Sequence, residues 1–376
     1  MKILIIRLSA IGDTIHTLPV AAEIKRRFPD AQVTWLVEPP SAPLLVNNPV
    51  VDRVIVLRRK SWLSGLTRPW RWPSVALEVK QAVDDLRRSQ FDAVLDVQGL
   101  VKSAIWAAAS GSPVRIGFAG AREGASALLT DKVDVGDYFG ADVHVVKHHL
   151  KLADYLFRRL GKEETGAGGP QAASFPLPAV PAQAVAKVEA LLDEAAGAAA
   201  HQDISMARRA VLVPGTTWPS KIWPPGSWTA LGRLLADRLG FRICLAGGGG
   251  EAATNSAITR ELRDGEPPVA VVDLTGKTSL LDLICLFQRA DLVVGGDTGP
   301  LHLAAAVGKP RVVGVYGSTP AGRNGPYGPQ CLTVNLGLWC QPCFEKICPL
   351  STTACLKELT PETVLAAIEG HAGAVP

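Results

Sequence analysis

The chain has 376 residues, 47% of them hydrophobic and 20% charged, with 36 Gly and 28 Pro scattered along it. That length is too great for one ordinary domain and comfortable for two, and the composition excludes a mainly disordered, collagen-like or membrane-spanning chain. A net charge of +4 is too mild to demand nucleic acid, though it admits an anionic partner where the charge is concentrated, and seven Cys do not make a disulfide scaffold.

In chain order, the apolar start Ile3–Ile6 is broken by Arg7, which argues against a secretory signal and makes the cytoplasm the expected compartment. The strand Lys2–Arg7 leads into Ser9-Ala-Ile-Gly-Asp13-Thr14, read as a polar turn, and helical spacing runs from Ile15 to Phe28. Asp13 lies near that helix's N-terminus, where its position reads first as a helix cap and leaves it eligible as a general base. Strands follow at Val33–Val37 and Val54–Leu57. Between Arg53 and Leu77 stand six basic residues, Arg53, Arg58, Arg59, Lys60, Arg68 and Arg71, and no acidic one, with Trp62, Trp70 and Trp72 interleaved. This reads as a solvated basic loop or as a surface for phosphates and carboxylates at a membrane interface. A helix over Val75–Arg88 precedes the buried strand Ala93–Val97, which ends in Gln98-Gly-Leu-Val-Lys102-Ser103. Arg122 is a further candidate for anions, and His148 and His149 lie on a helix, where packing accounts for both. Residues Gly161–Gln183, rich in Gly and Pro, break the pattern and read as a linker, followed by an Ala-rich helix over Ala184–Ala200.

The alternation then restarts, with strands at Ala210–Val213, Arg242–Ala246, Val269–Asp273, Leu292–Gly295 and Arg311–Tyr316 and helices at Pro225–Leu239, Thr254–Arg263, Ser279–Ala290 and Leu301–Val307. Strands alternating with helices give parallel βαβ units, so the fold class is α/β with two Rossmann-like domains facing a central cleft. The expected division is a domain over 1–165, a linker over 166–184, a domain over 185–358, and a helix and tail over 359–376. The loop Pro214-Gly-Thr216-Thr217-Trp-Pro-Ser-Lys221 offers two hydroxyls and an ammonium to a diphosphate. The loop Gly295-Gly-Asp297-Thr298-Gly299-Pro-Leu-His302 presents backbone N–H groups at a helix start, a ready anion site. Gly247-Gly-Gly-Gly-Glu251-Ala252 fits G-x-G-x-x-A or a plain tight turn. Cys340, Cys343, Cys348 and Cys355 fall within sixteen residues. Tetrahedral zinc, disulfides and free thiols all fit that spacing.

These motifs together resemble the glycosyltransferase family that contains the bacterial ADP-heptose:lipopolysaccharide heptosyltransferases. The resemblance spans nearly the whole chain. It rests on Arg7-Leu-Ser-Ala-Ile-Gly-Asp13-Thr-Ile-His-Thr-Leu-Pro19, on Asp96-Val-Gln-Gly-Leu-Val-Lys-Ser-Ala104, which looks most like the heptosyltransferase I branch, and on Gly296-Asp-Thr-Gly-Pro-Leu-His302. The Cys-rich segment looks more like members of the heptosyltransferase II type. The resemblance implies a GT-B fold and an inverting, metal-independent transfer of heptose from ADP-heptose onto Kdo-lipid A or the inner core of lipopolysaccharide, at the inner-leaflet membrane surface. It implies Asp13 as general base. Thr216, Thr217, Lys221, Glu251, Asp297, Thr298, Gly299 and His302 would face the donor, and Arg58, Arg59, Lys60, Lys102 and Arg122 the acceptor. No cofactor is implied for catalysis, and zinc at the four Cys would be structural. Two other readings stay open: a nicotinamide-dependent oxidoreductase using Gly247–Ala252, and a non-enzymatic lipid or nucleic-acid binder using the basic segment.

Overall fold

The computed structural model describes residues 1–161, 173–197 and 208–371. Part of the expected linker (162–172), the end of the Ala-rich helix (198–200) and the end of the tail (372–376) lie outside the described residues. The chain divides into two units, Met1–Ala179 and Val180–Pro376.

The first unit is built on six parallel strands: β1 (Lys2–Ile6), β2 (Gln32–Val37), β3 (Arg53–Val56), β4 (Ala93–Asp96), β5 (Arg115–Phe118) and β6 (Asp131–Val133). Their order is β3-β2-β1-β4-β5-β6. β1 alternates between two cores. Ile3 and Ile5 pack with Leu18, Trp35 and Phe157, while Leu4 and Ile6 pack with Leu86, Phe91 and Trp106 on the other face. Burial on both faces is what a near-continuous apolar strand demands, and it places β1 at the sheet's centre.

The second unit repeats the plan with β7 (Arg209–Val213), β8 (Arg242–Leu245), β9 (Val271–Asp273), β10 (Leu292–Gly296), β11 (Arg311–Val315) and β12 (Cys331–Val334). Its order, β12-β11-β10-β7-β8-β9, is the same arrangement read from the opposite edge. Both sheets thus have the doubly wound Rossmann order. Each has a switch point, between β1 and β4 and between β7 and β10, where open α/β sheets bind ligands beyond the strands' carboxyl ends.

Three expectations are corrected. The first helix begins at Ile11, not Ile15, so Gly12 and Asp13 lie in its first turn instead of a preceding loop. The basic segment is not a loop: it forms helices over Arg59–Leu66 and Trp72–Ser89 joined by a short 3-10 turn. Of its three Trp only two face solvent, because Trp62 is buried and donates from Nε1 to Glu78 at 2.7 Å. The closing helix Pro361–His371 is no appendage. Val364, Leu365 and Ile368 join Trp223 and Trp228 in the second unit's core.

Candidate functional site

At the first switch point, Asp13 is the third residue of its helix, and its Oδ2 accepts the Ala10 N–H at 3.0 Å. Its Oδ1 meets Arg7 Nη2 at 2.6 Å. Arg7 ends the buried strand β1, and its Nη1 donates to the Val97 carbonyl at 2.8 Å, so the guanidinium is fixed before it reaches the carboxylate. Burial alone would push Asp13 up; the Arg7 charge, the Ala10 N–H and His149 outweigh it and hold the carboxyl below its ordinary range. The side chain nevertheless remains 41% exposed. It is therefore an ionised carboxylate with open lone pairs, able to accept a proton from a hydroxyl placed against it.

The loop after β4 closes around the same place. Gln98 Oε1 accepts the Leu8 N–H at 2.9 Å, and Lys102 Nζ donates to Ser9 Oγ at 3.2 Å. Burial, then the Arg59 and Arg7 charges, pull Lys102 below its ordinary value against the opposing charges of Glu38 and Asp13. Beneath them Asp96, at the end of β4, accepts from Ser103 Oγ and from the Gln98 and Gly99 N–H groups. Burial pushes it up to about 6 in spite of those bonds.

The other acceptor candidates are dispersed. Arg59 donates to the buried Glu38 at 2.8 Å. Arg122 lies over the Phe139 ring at 3.7 Å, its amide donating to the Gly99 carbonyl. Arg58 and Lys60 are exposed and form no ion pair among the described residues. His148 and His149 are buried in the unit, as packing residues should be.

At the second switch point, the loops after β7 and β10 meet. Lys221 Nζ contacts Asp297 Oδ2 at 2.6 Å, and His302 Nε2 lies 3.3 Å from Asp297 Oδ1. Burial would raise Asp297; the His302 hydrogen bond and the Lys221 charge reverse it and hold the carboxyl far below its ordinary range. Thr298 is the N-cap of helix Gly299–Val307 without spending its side chain on the cap, and Pro300 occupies the first turn, where no N–H is required. Thr216 packs against Gly296, where an added Cβ would lie 2.8 Å from its Cγ2. Thr217 stands exposed in the same loop. Glu251 sits on the loop after β8, and its Oε2 accepts the Gly248 N–H at 2.6 Å. Its carboxylate occupies the space that a Cβ on Gly215 or Gly247 would need.

That packing removes the footing of the dinucleotide reading. The Gly-rich turn follows β8, the second strand of its unit, and its concavity is filled by the turn's own Glu251. The zinc expectation is not supported either. Among the described residues no group of three or more His, Cys, Asp or Glu is placed to hold a metal ion, and all four C-terminal Cys are free thiols. They line a cavity of about 200 Å³ together with Leu338, Trp339 and Leu350.

Arg7, Glu38 and Trp218 were not singled out from the sequence. Arg7 carried one signal, a charged residue ending an apolar strand six positions before an acid. The Arg59–Glu38 pair is tertiary and left no such trace, whereas Trp218 stands only three positions before Lys221, whose ammonium it faces.

A sequence profile described as glycosyltransferase family 9 (heptosyltransferase) matches residues 79–354. Lipopolysaccharide heptosyltransferase 1 of Escherichia coli K12 is 29% identical over 96% of this chain and 99% of its own length. The enzyme of the same name from Pseudomonas aeruginosa is 28% identical over 94% of this chain and 89% of its own. Among solved structures, E. coli heptosyltransferase WaaC with ADP superposes with a TM-score of 0.73 at 26% identity, covering 99% of this chain and 100% of that one. The same enzyme has been solved with ADP-2-deoxy-2-fluoro heptose, with a TM-score of 0.71 and coverage of 98% and 99%.

Proposed function

The chain belongs to glycosyltransferase family 9, the heptosyltransferases, and on that premise we propose that it moves heptose from ADP-heptose onto the Kdo-lipid A or inner-core region of lipopolysaccharide, with inversion and without a metal. The observation that carries this reading is Asp13: ionised by Arg7 and the Ala10 N–H, yet 41% exposed beyond the end of β1.

In this reaction Asp13 takes the proton of the acceptor hydroxyl as its oxygen attacks the anomeric carbon. The bond from that carbon to the donor's phosphate oxygen breaks, and ADP leaves with the electron pair. The charge that builds on the diphosphate falls to Lys221 and to the free N–H groups at the start of helix Gly299–Val307. Asp297 is not a contact for the diphosphate, which it would repel. It holds Lys221 and His302 in place by accepting from both. Thr216, Thr217, Thr298 and Gly299 supply hydroxyls and N–H groups, and Glu251 accepts from the ribose. Lys102, Arg59 and Arg122, with the exposed Arg58 and Lys60, meet the anionic groups of the acceptor. The enzyme works at the cytoplasmic face of the inner membrane, held by a basic, Trp-bearing surface.

The test is incubation with ADP-heptose and Kdo-lipid A, followed by mass spectrometry of the lipid. A single heptose adduct, absent with Asp13→Asn, is the expected result. The Cys-rich segment gives reason to run an acceptor that already carries one heptose in parallel. Product on that acceptor alone would move the enzyme to the second addition, and product on neither would overturn the reading.

A further inference from the structure

The loop that ends in Lys221 is covered by a segment from much later in the chain. Ser220, buried at the turn, donates its N–H to the Lys346 carbonyl at 3.2 Å and its Oγ to the Glu345 carbonyl at 2.5 Å. Phe344 N–H donates to the Ser318 carbonyl at 2.7 Å, and Ser318 Oγ lies 2.9 Å from Ser220 Oγ. The Phe344 ring stands edge-on to Trp218, centroids 6.0 Å apart. The backbone of residues 344–346 is thus seated by three hydrogen bonds, while the Lys346 side chain is left exposed. From that seat Lys346 Nζ lies 5.7 Å from the centre of the Trp218 ring, the same ring that Lys221 Nζ approaches at 4.3 Å.

The formal charges cancel, Lys221 and Lys346 against Asp297 and Glu345, but the pairing is uneven. Lys221 is matched by Asp297 at 2.6 Å. Lys346 forms no ion pair among the described residues, and neither does its neighbour Glu345. One of the two ammonium groups on the indole, that of Lys346, thus lies without an ion-pair partner among the described residues, beside a helix start whose N–H groups add charge of the same sign. An unpaired ammonium next to a paired one and a helix start can receive an anion that spans both cations.

We propose that Lys346 is a second cation for the donor's diphosphate: Lys221 and the helix start take one phosphate, and Lys346, delivered by the 338–355 segment, takes the other. The proposal rests on the nucleotide-sugar reading above. Its experiment is calorimetric titration of the full chain with ADP, AMP and inorganic pyrophosphate, at low salt and at about 0.15 M. Lys346→Ala is expected to weaken ADP and pyrophosphate roughly five- to tenfold, as loss of one charge-assisted contact should. AMP should change less than about twofold, since it lacks the second phosphate, and Lys346→Arg should restore most of the affinity. The side chain is exposed, so the melting temperature should not move. Unchanged ADP and pyrophosphate affinity in Lys346→Ala would overturn the assignment, as would an equal loss for AMP. The two failures separate cleanly. ADP binding that needs Lys221 but not Lys346 would remove Lys346 alone, whereas pyrophosphate binding without ADP binding would leave the cation pair and overturn the nucleotide-sugar reading.

Discussion

Of the groups that hold Asp13 low, Arg7 gives the largest contribution, and the two can be separated by experiment. With the guanidinium present the carboxyl is held below its ordinary range, so it is deprotonated throughout the neutral region and lost as a base only well into acid. Arg7→Gln should raise the carboxyl, moving the acid limb of the kcat/KM profile to higher pH and lowering the plateau, because an unpaired, partly buried carboxylate is costly. Asp13→Asn should abolish transfer with ADP affinity unchanged; near-full turnover would remove Asp13 from the chemistry. Asp96 behaves in the opposite sense. Its carboxyl rises from 3.8 to about 6 on folding, so the unfolded chain loses its proton first. The associated stability is present in acid and falls away between roughly pH 4 and 6. Asp96→Asn cannot titrate, and its stability relative to the parent should improve across that window by roughly 2–3 kcal/mol, the equivalent of the shift. Urea melts at pH 4 and pH 7 would measure it, and a parallel pair of curves would contradict the burial of an ionisable Asp96. The acids and the lysine at strand ends were legible because each follows an apolar run that must stop at a crevice. Their pairing was not: Arg7 was not singled out as the partner of Asp13, and Lys221 and Asp297, both singled out, meet only through the fold, 76 positions apart.

The loops after β7 and β8 act as one piece because Glu251 is wedged against Gly215 and Gly247. A methyl group at either glycine overlaps that carboxylate, and Glu251 must swing away from the Gly248 N–H it now caps. Gly215→Ala and Gly247→Ala should therefore weaken ADP binding several-fold while costing about 1–2 kcal/mol of stability, and Glu251→Gly on the same background should relieve the strain but not the binding. ADP titration and thermal melts of the single and double variants would show it; full ADP affinity in both glycine variants would detach Glu251 from the donor. The same element shows what sequence could and could not supply. The apolar strands β1, β2, β4, β7, β8, β10 and β11 were each recognised, because burial on both faces calls for a hydrophobic run. β5, β6 and β12 were missed: Arg-Ile-Gly-Phe, Asp-Lys-Val and Cys-Leu-Thr-Val are interrupted by charged, Gly or Thr residues and hold one apolar pair at most. The helix Arg59–Leu66 was hidden by its own composition, since clustered Arg and Lys suppress the apolar periodicity by which helices are recognised.

Across the molecule the charge is unevenly divided. Residues 1–179 hold 23 Lys and Arg against 18 Asp and Glu, whereas residues 180–376 hold 16 against 17, so the whole excess belongs to the first unit. Within that unit the helices Arg59–Leu66 and Trp72–Ser89 carry exposed Leu63, Leu66 and Leu77, with Trp70 78% and Trp72 55% exposed, among Arg58, Lys60, Arg68 and Arg71. No described helix is long and apolar enough to cross a membrane. Large apolar side chains beside cations instead suit the interface of an anionic bilayer, where indole rings sit at headgroup depth and each Lys or Arg near the surface contributes about 1 kcal/mol. Full-length protein should therefore sediment with phosphatidylglycerol-containing vesicles and not with phosphatidylcholine alone, and added salt should release it. Trp70→Ser with Trp72→Ser should reduce that binding at least about tenfold, since an indole buries roughly 150–250 Å². The same double variant should still transfer to a deacylated, water-soluble acceptor as the parent does, because neither Trp belongs to the transfer machinery. Undiminished vesicle binding by the double variant would place the lipid surface elsewhere, and equal losses on lipid and soluble acceptors would make these two Trp part of the acceptor site itself.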